Sequence, residues 1–372
     1  MVELIISLGT IKKVFIVPII YMLLYSSIHI YHHYYHKNLV ASFIEQFGSS
    51  FGTFLNFFTS NFIKYRRKIN KKSKNTIKNY PKDYGILFLI VLVYSMSEWL
   101  SYIVQNYEQK NKEDSPLSRG LYINDAIEII FLILVTTFIL KYKYYIHHFI
   151  SIAIFIILCI FIDIILKNFS NPKTLIIIDS ILYVIVDSIY FSYLKYLFTN
   201  KYYFYLDVVF ALGLIEIFNT FLSLSICAII DKNKLIFEFY SFYDEYGIGH
   251  IITRFLIFMI LYGFFIVFAT IIILNNLEPD FIAVSYVFSK IPTTILETEG
   301  SMKKWLIILI SIFQIIFLLF YLEIFEYNFC SLNRNTKKNI IKREISETNQ
   351  THKNEILLRI DMKEQEMDEI YN

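Results

Sequence analysis

Phe149-Ile-Ser-Ile-Ala-Ile-Phe-Ile-Ile-Leu-Cys-Ile-Phe-Ile-Asp-Ile-Ile-Leu166 decides the fold, with Asp163 the one charged residue in the run. A block this long and this apolar matches the roughly 30 Å hydrocarbon core of a bilayer when coiled as a helix. Lipid offers no hydrogen-bond partner to a bare backbone, so such a block is read as a helix that satisfies its own N–H and C=O groups. Comparable blocks recur along the chain. We place spans at 14–31, 41–62, 84–105, 122–140, 149–166, 174–198, 204–230, 248–274, 279–297 and 305–326. Two of them carry polar residues that weaken the reading. The second holds Glu45, Gln46, Gly48, Ser49 and Ser50 and could be interfacial. The ninth holds Pro279, Asp280, Lys290 and Pro292 and reads as broken or re-entrant.

The whole composition agrees with a membrane chain: 372 residues, 56% hydrophobic, net charge +3. Phe, Tyr, Ile, Asn and Lys, the amino acids of AT-rich codons, are abundant, so Lys runs and Tyr stripes weigh little as signs of function. Cys159, Cys227 and Cys330 have no spacing that suggests a disulfide framework or a zinc knuckle. Lys12 and Lys13 precede a signal-like apolar stretch, but His29 to His36 follow where a cleavage site would lie, so this segment reads as a retained first helix.

Lysine and arginine set the orientation. Loop 64–82 carries Lys64, Arg66, Arg67, Lys68, Lys71, Lys72, Lys74, Lys78 and Lys82; Arg334, Lys337, Lys338, Lys342 and Arg343 follow the last span. Placing both groups in the cytosol puts Lys141, Lys143 and Lys201 inside and the links 106–121, 167–173, 231–247 and 298–304 outside. The expected fold is therefore all-α: a polytopic transmembrane helix bundle of about ten spans over 1–330, both termini cytosolic. A polar, partly disordered tail follows over 331–372, where Ile356, Leu357, Ile360 and Met367 suggest a short amphipathic helix. Besides the bilayer itself, loop 64–82 offers a contact for anionic lipid.

Ionisable residues within membrane helices are costly and mark function by default. Glu98, Asp125, Glu128 and Asp179 fall in outer halves of spans, with His250 and Arg254, and predict an acidic outer vestibule countered by Arg254. Asp125 and Glu128 are three apart and share a helix face. Asp187 and Glu216 lie nearer the midplane, with Asn219 one turn beyond Glu216. Asp125, Asp163 and Asp207 lie near span ends and read as interfacial and unburied. A desolvated carboxylate set of this kind suits a path for a proton, a cation or a small solute.

Histidine is the second candidate chemistry. His29-Ile-Tyr-His32-His33-Tyr-Tyr-His36 contains an HxxHH spacing that resembles one histidine box of the membrane di-iron desaturases and hydroxylases. That resemblance implies metal ligands at i,i+4. The topology puts this cluster outside and His147-His148 inside, leaving His32, His36 and His250 as the candidate metal group. No Gly-rich phosphate loop, GxSxG or Cys/His nucleophile pattern occurs, so neither a cofactor nor a nucleic-acid partner is expected.

The run Glu323-Ile-Phe-Glu-Tyr-Asn-Phe-Cys-Ser-Leu-Asn-Arg-Asn-Thr-Lys-Lys-Asn-Ile340, with Leu277-Glu-Pro-Asp-Phe-Ile-Ala-Val-Ser285 upstream, resembles multi-pass proteins of unicellular eukaryotes. That resemblance implies no activity. Ten spans with both ends inside resembles the drug/metabolite transporter superfamily, which implies small-solute transport. The leading expectation is a small-solute or cation/proton-coupled carrier using Asp187, Glu216 and Asn219. The alternatives are a non-transporting component that binds partners through 64–82 and the tail, and a histidine-dependent membrane enzyme.

Overall fold

The computed structural model describes residues 18–28, 30–31, 39–66, 81–109, 122–142, 144–166, 174–203, 205–276, 279–298 and 300–321. Among them there is no strand. The helices are α1 (Pro18–Ile28), α2 (Leu39–Arg66), α3 (Pro81–Gln109), α4 (Tyr122–Leu140), α5 (Ile146–Leu166), α6 (Thr174–Thr199), α7 (Tyr205–Ile257), a π-helix (Phe258–Ile266), α8 (Val267–Asn276), α9 (Asp280–Glu297) and α10 (Ser301–Tyr321). Five stretches among the described residues are long and apolar enough to cross a membrane: Ile146–Leu166, Ile181–Thr199, Asp207–Ile229, Leu235–Leu274 and Ser301–Tyr321. Large apolar side chains such as Phe149, Phe161, Phe218, Ile229 and Trp305 stand exposed on them, as a protein solvated by lipid tails requires. The chain is an α-helical, membrane-embedded protein. The tail 331–372 and most of loop 64–82 lie outside the described residues.

The chain divides into two compact units. One comprises Met1–Tyr142 with Leu158–Ser311, the other Lys143–Ile157 with Ile312–Asn372. In the smaller, the His147 and His148 rings lie 4.0 Å apart, and His148 meets Tyr321 edge-on at 5.1 Å.

In the larger unit, contacts fix the helix directions. Asp83 at the start of α3 meets Tyr193 near the end of α6, so these two run antiparallel. Tyr122 and Asp125 at the start of α4 meet Thr294 and Lys290 in reversed order, so α4 and α9 are antiparallel.

The expected loop at 231–247 is helical instead: the chain stays helical through the 53 residues of α7. That helix cannot be straight. Phe221 and Phe255 would stand about 51 Å apart on a straight helix, yet their rings lie 5.4 and 6.0 Å from the ring of Phe47 on α2. The chain therefore folds back on itself, and Gly247, at φ +74°, takes a left-handed conformation within the connector. α2 lies against both arms, antiparallel to the first and parallel to the second.

Glycines make that packing close. Gly48-Ser-Ser-Phe-Gly52 on α2 is a GxxxG pair, the spacing that lets two helix backbones meet. A Cβ on Gly52 would collide with the Met259 carbonyl oxygen, and one on Gly263 of the π-helix with that of Ser49. On the opposite side, a Cβ on Gly213 would lie 2.5 Å from the Phe54 nitrogen. Asn56 donates to the Gly263 carbonyl at 3.2 Å, satisfying a backbone group of the π-helix.

Segment 279–297 forms one continuous helix with Pro292 inside it. Pro292 removes a backbone donor. The carbonyl this leaves without its helical donor is that of Phe288; the next carbonyl, of Ser289, accepts from Ser26 Oγ at 2.9 Å and ties α1 to this turn of α9.

Candidate functional site

Asp125 and Glu128 lie on the α4 face that packs against α6 and α9, and both are buried. α9 brings Lys290, whose Nζ donates to both oxygens of Asp125, at 2.8 and 2.7 Å. The ammonium also sits 4.5 Å from the centroid of the Tyr286 ring, one turn earlier on α9. α6 brings Asp187, whose carboxyl group is within hydrogen-bonding reach of Glu128. Asp187 is 4% exposed, Glu128 6% and Lys290 14% by side chain. A hydrogen bond between two carboxyl groups requires a proton on one of them. The cluster thus gathers three acids around one ammonium.

Hydroxyls and aromatic rings surround it. Tyr122 shares a 2.6 Å hydrogen bond with Thr294, and its backbone N–H donates to Asp163 on α5 at 3.2 Å. Asp163 is thus fully buried and engaged with the start of α4, where the sequence reading placed it at the interface. On α1, Tyr25 meets Tyr286 edge-on at 5.3 Å and Tyr262 at 5.7 Å, and Tyr21 lies within electrostatic reach of Asp187.

Arg254, expected as the counter-ion of the outer acidic vestibule, pairs with Glu45 of α2. Its Nε donates to Glu45 Oε1 at 2.7 Å and its Nη2 to the same oxygen. Both side chains are buried, and the guanidinium lies 5.5 Å from the Tyr31 ring and 5.9 Å from that of Phe242. The counter-charge of Asp125 is Lys290. Glu45 and Lys290, two of the polar residues that made the second and ninth spans look weak, each belong to an ion pair, that of Glu45 buried and that of Lys290 largely so.

The remaining candidates are distributed as follows. Glu216 and Asn219 lie on the first arm of α7, which packs on α2 and α3, whereas α6 packs on α3 and α4. Asn219 is buried and donates to Ser95 Oγ of α3 at 3.4 Å. The structure thus groups Asp187 with Glu128, and Asn219 with Ser95. Glu98 and Asp179 lie on α3 and α6, and their side chains fall outside the described residues, as do His32 and His36 altogether. His250 stacks on Tyr246 at 5.0 Å. Among the described residues no group of three His, Cys, Asp or Glu side chains could hold a metal ion.

Lys290, Tyr286 and Tyr122 were not singled out as site residues. One signal pointed to Lys290: a set of buried acids requires a nearby cation, and Lys290 is the basic residue inside an apolar segment otherwise short of charge. No known protein-family model matches the chain, and no curated protein matches its sequence.

Proposed function

We propose that the chain is a carrier for a small solute or cation, coupled to protons, and that its working site is the Asp125–Glu128–Asp187–Lys290 cluster. The observation that carries this reading is the buried Glu128–Asp187 carboxyl pair beside an acid already neutralised by Lys290. A structural ion pair needs one acid and one base. Two further acids, one turn along α4 and on the facing helix, add nothing to that pair and cost desolvation. They can hold one proton between them and exchange it for an incoming cation, while Lys290 keeps Asp125 from competing. The tyrosines of α1 and α9 supply ring faces that suit a positively charged group. Asn219 and Ser95, between α3 and α7, form a separate neutral polar station of the kind a solute would use on its way.

The test uses full-length protein in liposomes loaded with a pH-reporting dye and challenged with a panel of alkali cations and small amines. At least one is expected to drive proton movement in the wild type. Glu128→Gln and Asp187→Asn should abolish that movement while the protein stays inserted. Absence of movement across the whole panel, or full movement in both variants, refutes the proposal.

A further inference from the structure

The connector between the two arms of α7 leaves one of its faces uncovered among the described residues. Between Lys232 and Tyr246 the chain is helical, and projected at 100° per residue its side chains sort into two arcs. Leu235, Phe242, Tyr246, Phe239, Tyr243, Ile236 and Tyr240 fill one side. Asn233, Glu238, Ser241, Asp244 and Glu245 fill the other, with two exceptions: Phe237 lies among the polar residues, and Lys232, in the first turn, lies among the apolar ones. The apolar arc is only half used by the protein. Phe242 is fully buried and packs with Val40 and Ala41 at the start of α2, with Tyr246 beside it. The other half stands open: Ile236, Phe239, Tyr240 and Tyr243 are 42%, 48%, 63% and 44% exposed. These four are spaced i, i+3, i+4 and i+7, a continuous stripe.

We propose that residues 232–246 form an interfacial helix that lies in the plane of the bilayer surface, with this stripe inserted at the boundary between headgroups and acyl chains. Three observations identify lipid as the occupant. The stripe is flanked by exposed apolar residues of both arms, Ile226 and Ile229 before it, with Lys232 between, and Ile248 and Ile252 after it, and the apolar stretches Asp207–Ile229 and Leu235–Leu274 lie on either side of its start. Two of its four residues are tyrosines, which favour the headgroup level. The polar arc lies on the far side, where it faces water when the stripe faces lipid. Its charges choose among lipids too. Segment 231–247 carries Asp231, Glu238, Asp244 and Glu245 against Lys232 and Lys234, so it has no basic patch for anionic headgroups. Insertion therefore rests on apolar area and is independent of salt and of anionic lipid.

Spin labels placed one at a time along 236–245 test this in full-length protein in phosphatidylcholine liposomes. The background is a chain in which Cys159, Cys227 and Cys330 are replaced by alanine. Collision with oxygen should peak at 236, 239, 240 and 243, and collision with a water-soluble nickel complex at 241, 244 and 245. The two profiles should be out of phase with the helical period and unchanged when phosphatidylserine or high salt is added. Nickel access at 240 and 243 equal to that at 241 and 244 would mean a helix in water, and exclusion of both reagents at 240 and 243 would mean a protein partner; either overturns the proposal. If the cysteine-free background is misassembled, the same comparison is made with Tyr240→Trp and Ser241→Trp in the native chain. Brominated lipid should then strongly quench the fluorescence that Tyr240→Trp adds and only weakly quench the fluorescence that Ser241→Trp adds; equal quenching overturns the proposal.

Discussion

Replacing Lys290 by methionine isolates the ion pair on which the carboxylate cluster depends. Methionine keeps most of the volume and removes the charge. The ammonium lies 2.8 and 2.7 Å from the two oxygens of Asp125. At an effective dielectric of about 20 this amounts to roughly 6 kcal/mol of attraction. Part of that offsets the desolvation of the ammonium, a cost the variant no longer carries. What the variant retains is a buried Asp125 without its counter-charge, next to Glu128, and breaking one side of a buried pair costs about 3–5 kcal/mol. Asp125→Leu should cost less, because Lys290 is the more exposed partner and its stem lets the ammonium move toward water. The double variant Asp125→Leu/Lys290→Met should recover most of the loss, since replacing a buried pair by apolar groups of similar size is often neutral or stabilising. The measurement is unfolding in mixed detergent micelles, followed by helix content, with the coupling read from the double-mutant cycle. A cost below about 1 kcal/mol for Lys290→Met, against the 3–5 kcal/mol expected of a buried pair, would refute the reasoning. So would a double variant as unstable as the sum of the singles.

Further outcomes follow from the same packing. Gly263→Ala should destabilise by about 1–3 kcal/mol or more, because its Cβ would meet the Ser49 carbonyl oxygen and lie 2.8 Å from the Gly52 Cα, both backbone atoms that cannot step aside. Gly85→Ala, in open space near the start of α3, should instead stabilise by about 0.5–1 kcal/mol; thermal melts of the pair in one detergent compare them directly. At the start of α3, Tyr203→Phe removes a 2.6 Å hydrogen bond to Asp83 and should cost about 1.5–3 kcal/mol. Lys201→Met removes only a 3.4 Å contact from a side chain 40% exposed and should cost under about 1 kcal/mol, so equal losses in the two variants, measured by the same melts, would contradict this ranking.

Helix content was legible in the sequence because a bilayer leaves the backbone one local solution, and block length alone reveals it. The connector at 231–247 was not legible. Asp231, Lys232, Lys234, Glu238, Asp244 and Glu245 look like a loop when counted as charges, and only projection onto a helix shows that the polar residues of 233–245 share one side. The acids of α4 could be found because i,i+3 spacing is a property of one helix. Their partners could not, because pairing across helices depends on which faces meet, and that is set by packing among segments far apart in the chain. Charge placement names no neighbours, so Arg254 was assigned to an outer vestibule of several acids, whereas it pairs with Glu45. Glu45 and Lys290 expose the physical error in reading each span alone. A charge inside an apolar block lowers the block's own tendency to insert, yet two such charges on facing helices neutralise each other once both are in place. The polar residues that weaken individual spans are thus the ones that specify how the spans pack, and the α4–α6–α9 cluster, where acids outnumber their base, is where that pairing is incomplete.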